Sequence, residues 1–287
     1  MRSLLCSILL LSLPSLAIAD PRKDWDDFRA AMTQHAGGPT GMYAIQDVAV
    51  VDAGKTVHLA AARAPADIRW AEQAGGKGQF SVSYENGRAL LRGPGLAEVD
   101  LLKAKEQQQA LPDGLIVRGT VYEKSIKAWL YNPKLPAQRF KSLSFFPYDP
   151  KGVVSATFKR KNVPVGVSHL DSRNHTGLMY WIGDIELPVH GKTYRLRAFN
   201  KEKDWIKINH VLLFLTDKTS KKTTYGGGRV LETHFPAGEA PNTMTLNLNT
   251  LYSFLCAHSD YYNCPINLTS FVDTELKYGE MYPPQTK

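Results

Sequence analysis

Along most of the chain, apolar and polar side chains alternate with a period of two. Phe80, Val82 and Tyr84 alternate with Gln79, Ser81 and Ser83, as in a strand with one buried face. Asn86-Gly87 follows and the pattern resumes over 89–92, which predicts a tight hairpin. Strands are also predicted over 114–117, 126–131, 153–158, 178–187, 193–199, 205–215 and 229–233. The stretch 178–199 reads as a second hairpin, turning at His190-Gly191-Lys192. Helical periodicity is confined to two places. Trp25, Phe28 and Met32 form one apolar stripe; Asp20 suits a cap, Pro21 the first helical position, and Asp24, Asp26 and Asp27 the positive end of the dipole. Gly37-Gly38-Pro39 ends that helix, and a second is predicted over 66–74. The fold class expected is mainly β, an antiparallel β sandwich or barrel with an N-terminal helix. The segment "NPKLPAQ", 132–138, places a boundary between a β-rich region over 20–131 and a C-terminal β domain over 139–287, and reads equally as a loop within one domain.

Residues 1–19 carry a different pattern. Arg2 precedes an apolar run over 4–13, Pro14 breaks it, and Ala17-Ile18-Ala19 is a small-x-small cleavage site. These are the parts of a secretory signal peptide, so cleavage near Ala19 and a periplasmic or secreted location are expected. The run is too short to span a bilayer and no later segment is long and apolar, so no membrane span is expected. The net charge is +8. Its densest patches, Lys159-Arg160-Lys161 and the run from Lys218 to Lys222, lack the interleaved aromatics of a single-strand binder. Nucleic acid is therefore not an expected partner, whereas anionic envelope components are.

Cys256 and Cys264 are the two cysteines beyond the leader. In an oxidising compartment such a pair reads first as a disulfide. With His258 between them, and Asp260 or His234 as a fourth ligand, the same residues could hold zinc or form a cysteine nucleophile site. His169, Asp171 and His175 in "SHLDSRNH" form a weaker divalent-metal pattern whose plain reading is a solvated loop. No serine sits in Gly-x-Ser-x-Gly and no motif calls for a cofactor. The expectation is no metal and no cofactor.

The stretch "TTYGGGRVLETHF" is the leading site candidate. Gly226, Gly227 and Gly228 can expose successive N–H groups to an anion, Tyr225 flanks them, and Arg229 adds a bidentate fork that Asp217 could orient. The competing reading is a sharply turned strand against which another backbone packs, with Arg229 held by Asp217. The Gly-Lys-Ser/Thr ending of a phosphate-binding P-loop is absent.

The segments "SFFPYDPKGVVSATFKR", "YWIGDIELPVHGKTYRLRAF", "LFLTDKTSKKTTYGGGRVLE" and "LNLNTLYSFLCAHSDYYNCPI" occur in that order. Together they resemble the bacterial family catalogued as domain of unknown function 1684. The resemblance falls on Pro147 and Asp149, Asp217 and Ser220, Thr224 to Arg229, Asn249 and Tyr252, Cys256, Cys264 and Pro265, and Gly279-Glu280. This chain has Asn247-Leu248-Asn249 where the family has Asp-Phe-Asn, and its 267–271 segment replaces a Pro-x-Glu-Asn stretch. The family implies membership and no mechanism. The function expected from the residues is a binding module for a small anionic ligand or an anionic envelope polymer. The alternatives are a hydrolase using Asp217, His234, His258 or Glu280 as acid or base, and an envelope protein without a ligand.

Overall fold

A computed structural model describes residues 20–60, 67–73, 79–172 and 176–282. The leader and His175 lie outside the described residues. The fold is mainly β, with antiparallel sheets and one N-terminal helix. No described helix is long and apolar enough to cross a membrane.

The helix Pro21–Gly37 starts where Asp20 accepts from the amides of Arg22 and Lys23, satisfying two of the donors that a helix start leaves unpaired. Trp25 is 5% exposed and its ring lies 5.5 Å from that of Tyr148. Phe28 lies 6.3 Å from Phe145 and 6.0 Å from Tyr252. The apolar stripe thus docks the helix on residues distant in sequence, and Asn247 Nδ2 fastens its first turn by donating to the Pro21 carbonyl at 2.8 Å.

In the first half, one sheet runs in the order Ile45–Val51, Ser125–Tyr131, Ile116–Tyr122, Gln108–Ala110. A second runs Trp70–Ala71, Thr56–Leu59, Ser81–Glu85, Arg88–Gly93, Leu96–Asp100. The two share one core that includes Val82, Leu91, Leu101, Val117 and Leu130. The predicted hairpin is present: Glu85 faces Arg88, and Asn86 and Gly87 take φ of 50° and 74°, as a two-residue turn of the right twist requires. The helix predicted over 66–74 is described over 67–73, and there Trp70–Ala71 is instead a short strand opposite His58 and Leu59. A strand partner settles a two-residue segment that local propensity leaves open.

The second half forms an eight-stranded sheet. Its main path is Thr243–Asn247, Val153–Leu170, Thr176–Val189, Lys192–Asn200, His210–Asp217, Arg229–His234 and Tyr252–Ser253. Ser270–Val272 adds a parallel pairing to His210–Asp217, an exception to the antiparallel rule. The hairpin at His190-Gly191 forms as expected, with Val189 opposite Lys192. Two expectations shift. The strand predicted over 153–158 extends to Leu170, through the basic run, because both of its faces there are largely solvated and charge is no obstacle. The strand predicted from Trp205 begins at His210, since Asp204 caps a short turn, Trp205–Lys207, by accepting from the Ile206 amide. Over its central strands both faces of the large sheet are covered. Val211, Leu213, Leu215 and Leu231 face one core, and Phe199, Phe214, Val230 and Phe254 face another.

The halves meet where the 256–264 loop lies on the first half. Tyr261 Oη donates to the Gln46 carbonyl at 2.6 Å, and the Tyr262 ring lies 5.6 Å from Trp129.

Candidate functional site

The triglycine segment follows a closed turn. Asp217 Oδ1 accepts from the amide and hydroxyl of Thr219 at 2.7 and 2.6 Å, and Thr219 Oγ1 meets Thr224 Oγ1 at 2.9 Å. Asp217 Oδ2 lies 2.6 Å from Arg229 Nη2, and the two side chains are 0% and 1% exposed. Arg229 also donates to the carbonyls of Tyr278 and Leu276. This corrects the expectation that Arg229, oriented by Asp217, presents a fork to a ligand: the guanidinium is sealed in the core, with Nη1 and Nη2 donating to Asp217 and the 276–278 backbone. Burial lowers its pKa from the ordinary value while Asp217 and Glu280 oppose that shift. A guanidinium begins so high that it stays charged.

Gly228 has φ of +114°, and a Cβ there would lie 2.9 Å from the Leu215 carbonyl oxygen. Its glycine is explained by the turn and by close packing, not by an anion. Gly226 would meet only the Lys221 side chain and Gly227 only the Tyr225 ring. Gly226 is half-buried and Gly227 exposed, so these two remain at the surface. Tyr225 points toward the cysteine loop, its Oη 3.9 Å from Cys256 Sγ and its ring 5.3 Å from Tyr282.

Cys256 and Cys264 are joined, with Cα atoms 6.1 Å apart. The zinc and thiol-nucleophile readings therefore lose their thiolates. Reduction is expected to lower stability by about 2.6 kcal/mol, the chain-entropy value for a loop this short. Urea unfolding with and without a phosphine reductant measures it. Asp171, from the weaker metal pattern, is buried and accepts from Asn263 Nδ2 at 2.5 Å, so it anchors this same loop.

The joined loop delivers His258 to a buried carboxylate. His258 Nε2 lies 2.8 Å from Glu280 Oε1, with side chains 2% and 1% exposed. The contact is close but not aligned as a hydrogen bond. Glu280 Oε2 accepts from the Ser253 amide at 2.8 Å. His258 Nδ1 lies 3.2 Å from Tyr43 Oη. Tyr43 sits in a short turn, Met42–Ala44, and is half-buried. Burial, with Tyr282 and Glu280 adding to it, raises the Tyr43 pKa, so its phenol stays protonated near neutral pH. The result is a chain of carboxylate, imidazole and phenol.

Tyr43 opens on a cleft of about 370 Å³ lined also by Met42, Arg139, His258, Asp260 and Tyr261. Arg139 ends the short helix Pro136–Arg139, and its Nη1 donates to the Ile45 carbonyl at 3.1 Å. Among the described residues it has no carboxylate partner. A larger cleft of about 590 Å³ lies around Asp149, His190 and Tyr278. Its lysines are paired locally, Lys218 with Asp273 at 2.8 Å and Lys277 with Glu275 at 2.9 Å.

Residues 138–280 match the model of the family described as protein of unknown function (DUF1684). The chain belongs to this family. The family region contains Arg139, His258 and Glu280, whereas Tyr43 lies outside it. No curated protein matches the chain. Among solved structures, an uncharacterized protein of Haloarcula marismortui, determined in solution by NMR, is 26% identical. The likeness covers 53% of this chain and 81% of that one, at a TM-score of 0.43.

Of the acid–base candidates, the structure brings His258 and Glu280 together. Asp217 is committed to Arg229, and His234 lies elsewhere, at the end of the strand Arg229–His234. Tyr43 and Arg139 were missed. Neither belongs to a motif, and Tyr43 reaches His258 across 215 positions.

Proposed function

We propose that the protein binds a small anionic molecule in the cleft between Tyr43, Arg139 and the 258–261 segment. One observation carries this reading: the Arg139 guanidinium lines the cleft without a carboxylate partner among the described residues. A guanidinium fork suits a carboxylate or phosphate, and the protonated Tyr43 phenol supplies a second donor. The glycine loop does not supply the charge; its Tyr225 packs on Tyr282, whose ring lies 5.8 Å from that of His258. A free metabolite and the anionic group of an envelope polymer present the same chemistry. The signal-like leader and the cysteine pair support an exported protein.

The test is calorimetry with inorganic phosphate and with short dicarboxylates on the mature protein. Saturable binding is expected for at least one. Arg139→Ala should weaken it more than about tenfold, since a hydrogen bond to a charged group contributes roughly 1.5–3 kcal/mol. Melting should hardly change, because Arg139 is exposed. Equal binding by the variant, or no binding across the panel, would sink the reading.

A second reading, hydrolysis, is favoured by the pair His258–Glu280. In that reading Tyr43 relays a proton between the cleft and His258 while Glu280 stabilises the imidazolium. Turnover of chromogenic esters or phosphate esters that vanishes in both Tyr43→Phe and His258→Asn would support it. Full activity in Tyr43→Phe would exclude the relay.

A further inference from the structure

Away from that cleft, the large sheet brings three further donors together. His210 opens the strand His210–Asp217 and lies directly opposite His234, at the end of Arg229–His234. Glu232 stands two residues before His234 and so points to the same face. The nearest donor atoms of His210, Glu232 and His234 all lie within 4.8 Å of one another. His234 Nε2 is 3.1 Å from Glu232 Oε1.

From this geometry we infer that His210, Glu232 and His234 form a binding site for a divalent transition-metal ion, zinc in the first instance. Two imidazole nitrogens and one carboxylate oxygen are a donor set that zinc takes with a fourth position left open. Donors about 2.0–2.1 Å from a tetrahedral ion stand roughly 3.4 Å apart, so the present spacing needs a closure of about an ångström. The His234 side chain, 67% exposed, is free to make that adjustment. The His210 side is already oriented. Its Nδ1 lies 2.8 Å from Asn209 Oδ1, and donation there leaves Nε2 with the lone pair that a metal needs. The carboxylate and His234 also border a second cleft of about 370 Å³, shared with Asp24, Phe28, Asn247 and Tyr252. The open coordination position can therefore be filled by water or by a small ligand. The ladder that carries the two histidines is a rigid support, which favours a defined site over an accidental one.

This site is separate from the Arg139 cleft, so its test stands apart from the proposed function. The mature protein is stripped with a chelator and titrated with Zn²⁺ by calorimetry and with Co²⁺ by visible absorption. One ion per chain is expected, with Co²⁺ bands of a four- or five-coordinate site and a rise in melting temperature on saturation. Loss of a group that merely orients a ligand costs about 10–100-fold in metal affinity. Asn209→Ala should fall in that range, and His210→Ala and His234→Ala should exceed it. His35→Ala, at an exposed position in the last turn of the helix, should bind as the parent does. Circular dichroism of the metal-free variants confirms that they fold, which exposed His234 all but assures. Absence of saturable Zn²⁺ binding, or unchanged affinity in His234→Ala, would overturn the assignment and leave a simple surface ion pair.

Discussion

Arg229→Ala is expected to destabilise the protein by about 3–5 kcal/mol, the cost of breaking a buried ion pair and leaving one charge behind. Among the described residues Arg229 is the largest side chain buried below 2% exposure. Its loss opens a cavity, strands Asp217 Oδ2 and frees the carbonyls of Leu276 and Tyr278. Those carbonyls belong to the segment that carries Glu280 into place, so the damage reaches the site indirectly. Asp217→Ala should cost a similar amount, because a guanidinium then lies buried without its counter-ion and Thr219 loses its acceptor. Arg229→Lys should recover only part of the loss, since an ammonium cannot span a carboxylate and two carbonyls at once. Urea unfolding reads all three, as a lower midpoint at unchanged slope. An Arg229→Ala protein that unfolds like the parent while losing phosphate or dicarboxylate binding would return the guanidinium to the ligand.

Substitutions along the glycines should separate sharply. Gly279 has φ of +71°, and a Cβ there would lie 2.2 Å from the Leu251 carbonyl oxygen. Gly279→Ala meets both backbone strain, about 1–3 kcal/mol, and overpacking against a backbone that cannot retreat, another 1–3 kcal/mol or so. We expect a loss of about 3 kcal/mol or more, with Glu280 displaced from His258. Gly228→Ala should cost slightly less, for it has the same two penalties at a longer contact. Gly226→Ala meets only the exposed Lys221 side chain, nearest at Cγ at 2.7 Å, which can rotate into solvent, and should stay within about 1 kcal/mol of the parent. Thermal melts of the three variants give the order. Should Gly226→Ala prove as damaging as Gly228→Ala, the packing account of the triglycine segment fails.

Where local chemistry is sufficient, the sequence was a good guide. Asp20 and Pro21 set the start of the helix, and Asn86-Gly87 and His190-Gly191 set two hairpin turns, because each needs only neighbouring atoms. The cysteine pair followed from short spacing. Where a partner from elsewhere decides, local reading failed. Trp70–Ala71 became a strand because the strand Thr56–Leu59 lies beside it. The basic stretch after Phe158 stayed in a strand because its pairing partner, Thr176–Val189, continues past it.

The sequence by itself determined that this is a β-rich chain with a capped helix at its start and turns at fixed dipeptides. Short-range sterics and hydrogen bonds fix all of these. Only the tertiary structure decided that Arg229 is an internal strut, that Tyr43 and Arg139 frame a cleft beside His258, and that His210, Glu232 and His234 converge. Burial and proximity between distant segments arise from how sheets stack and register, and no local pattern records them.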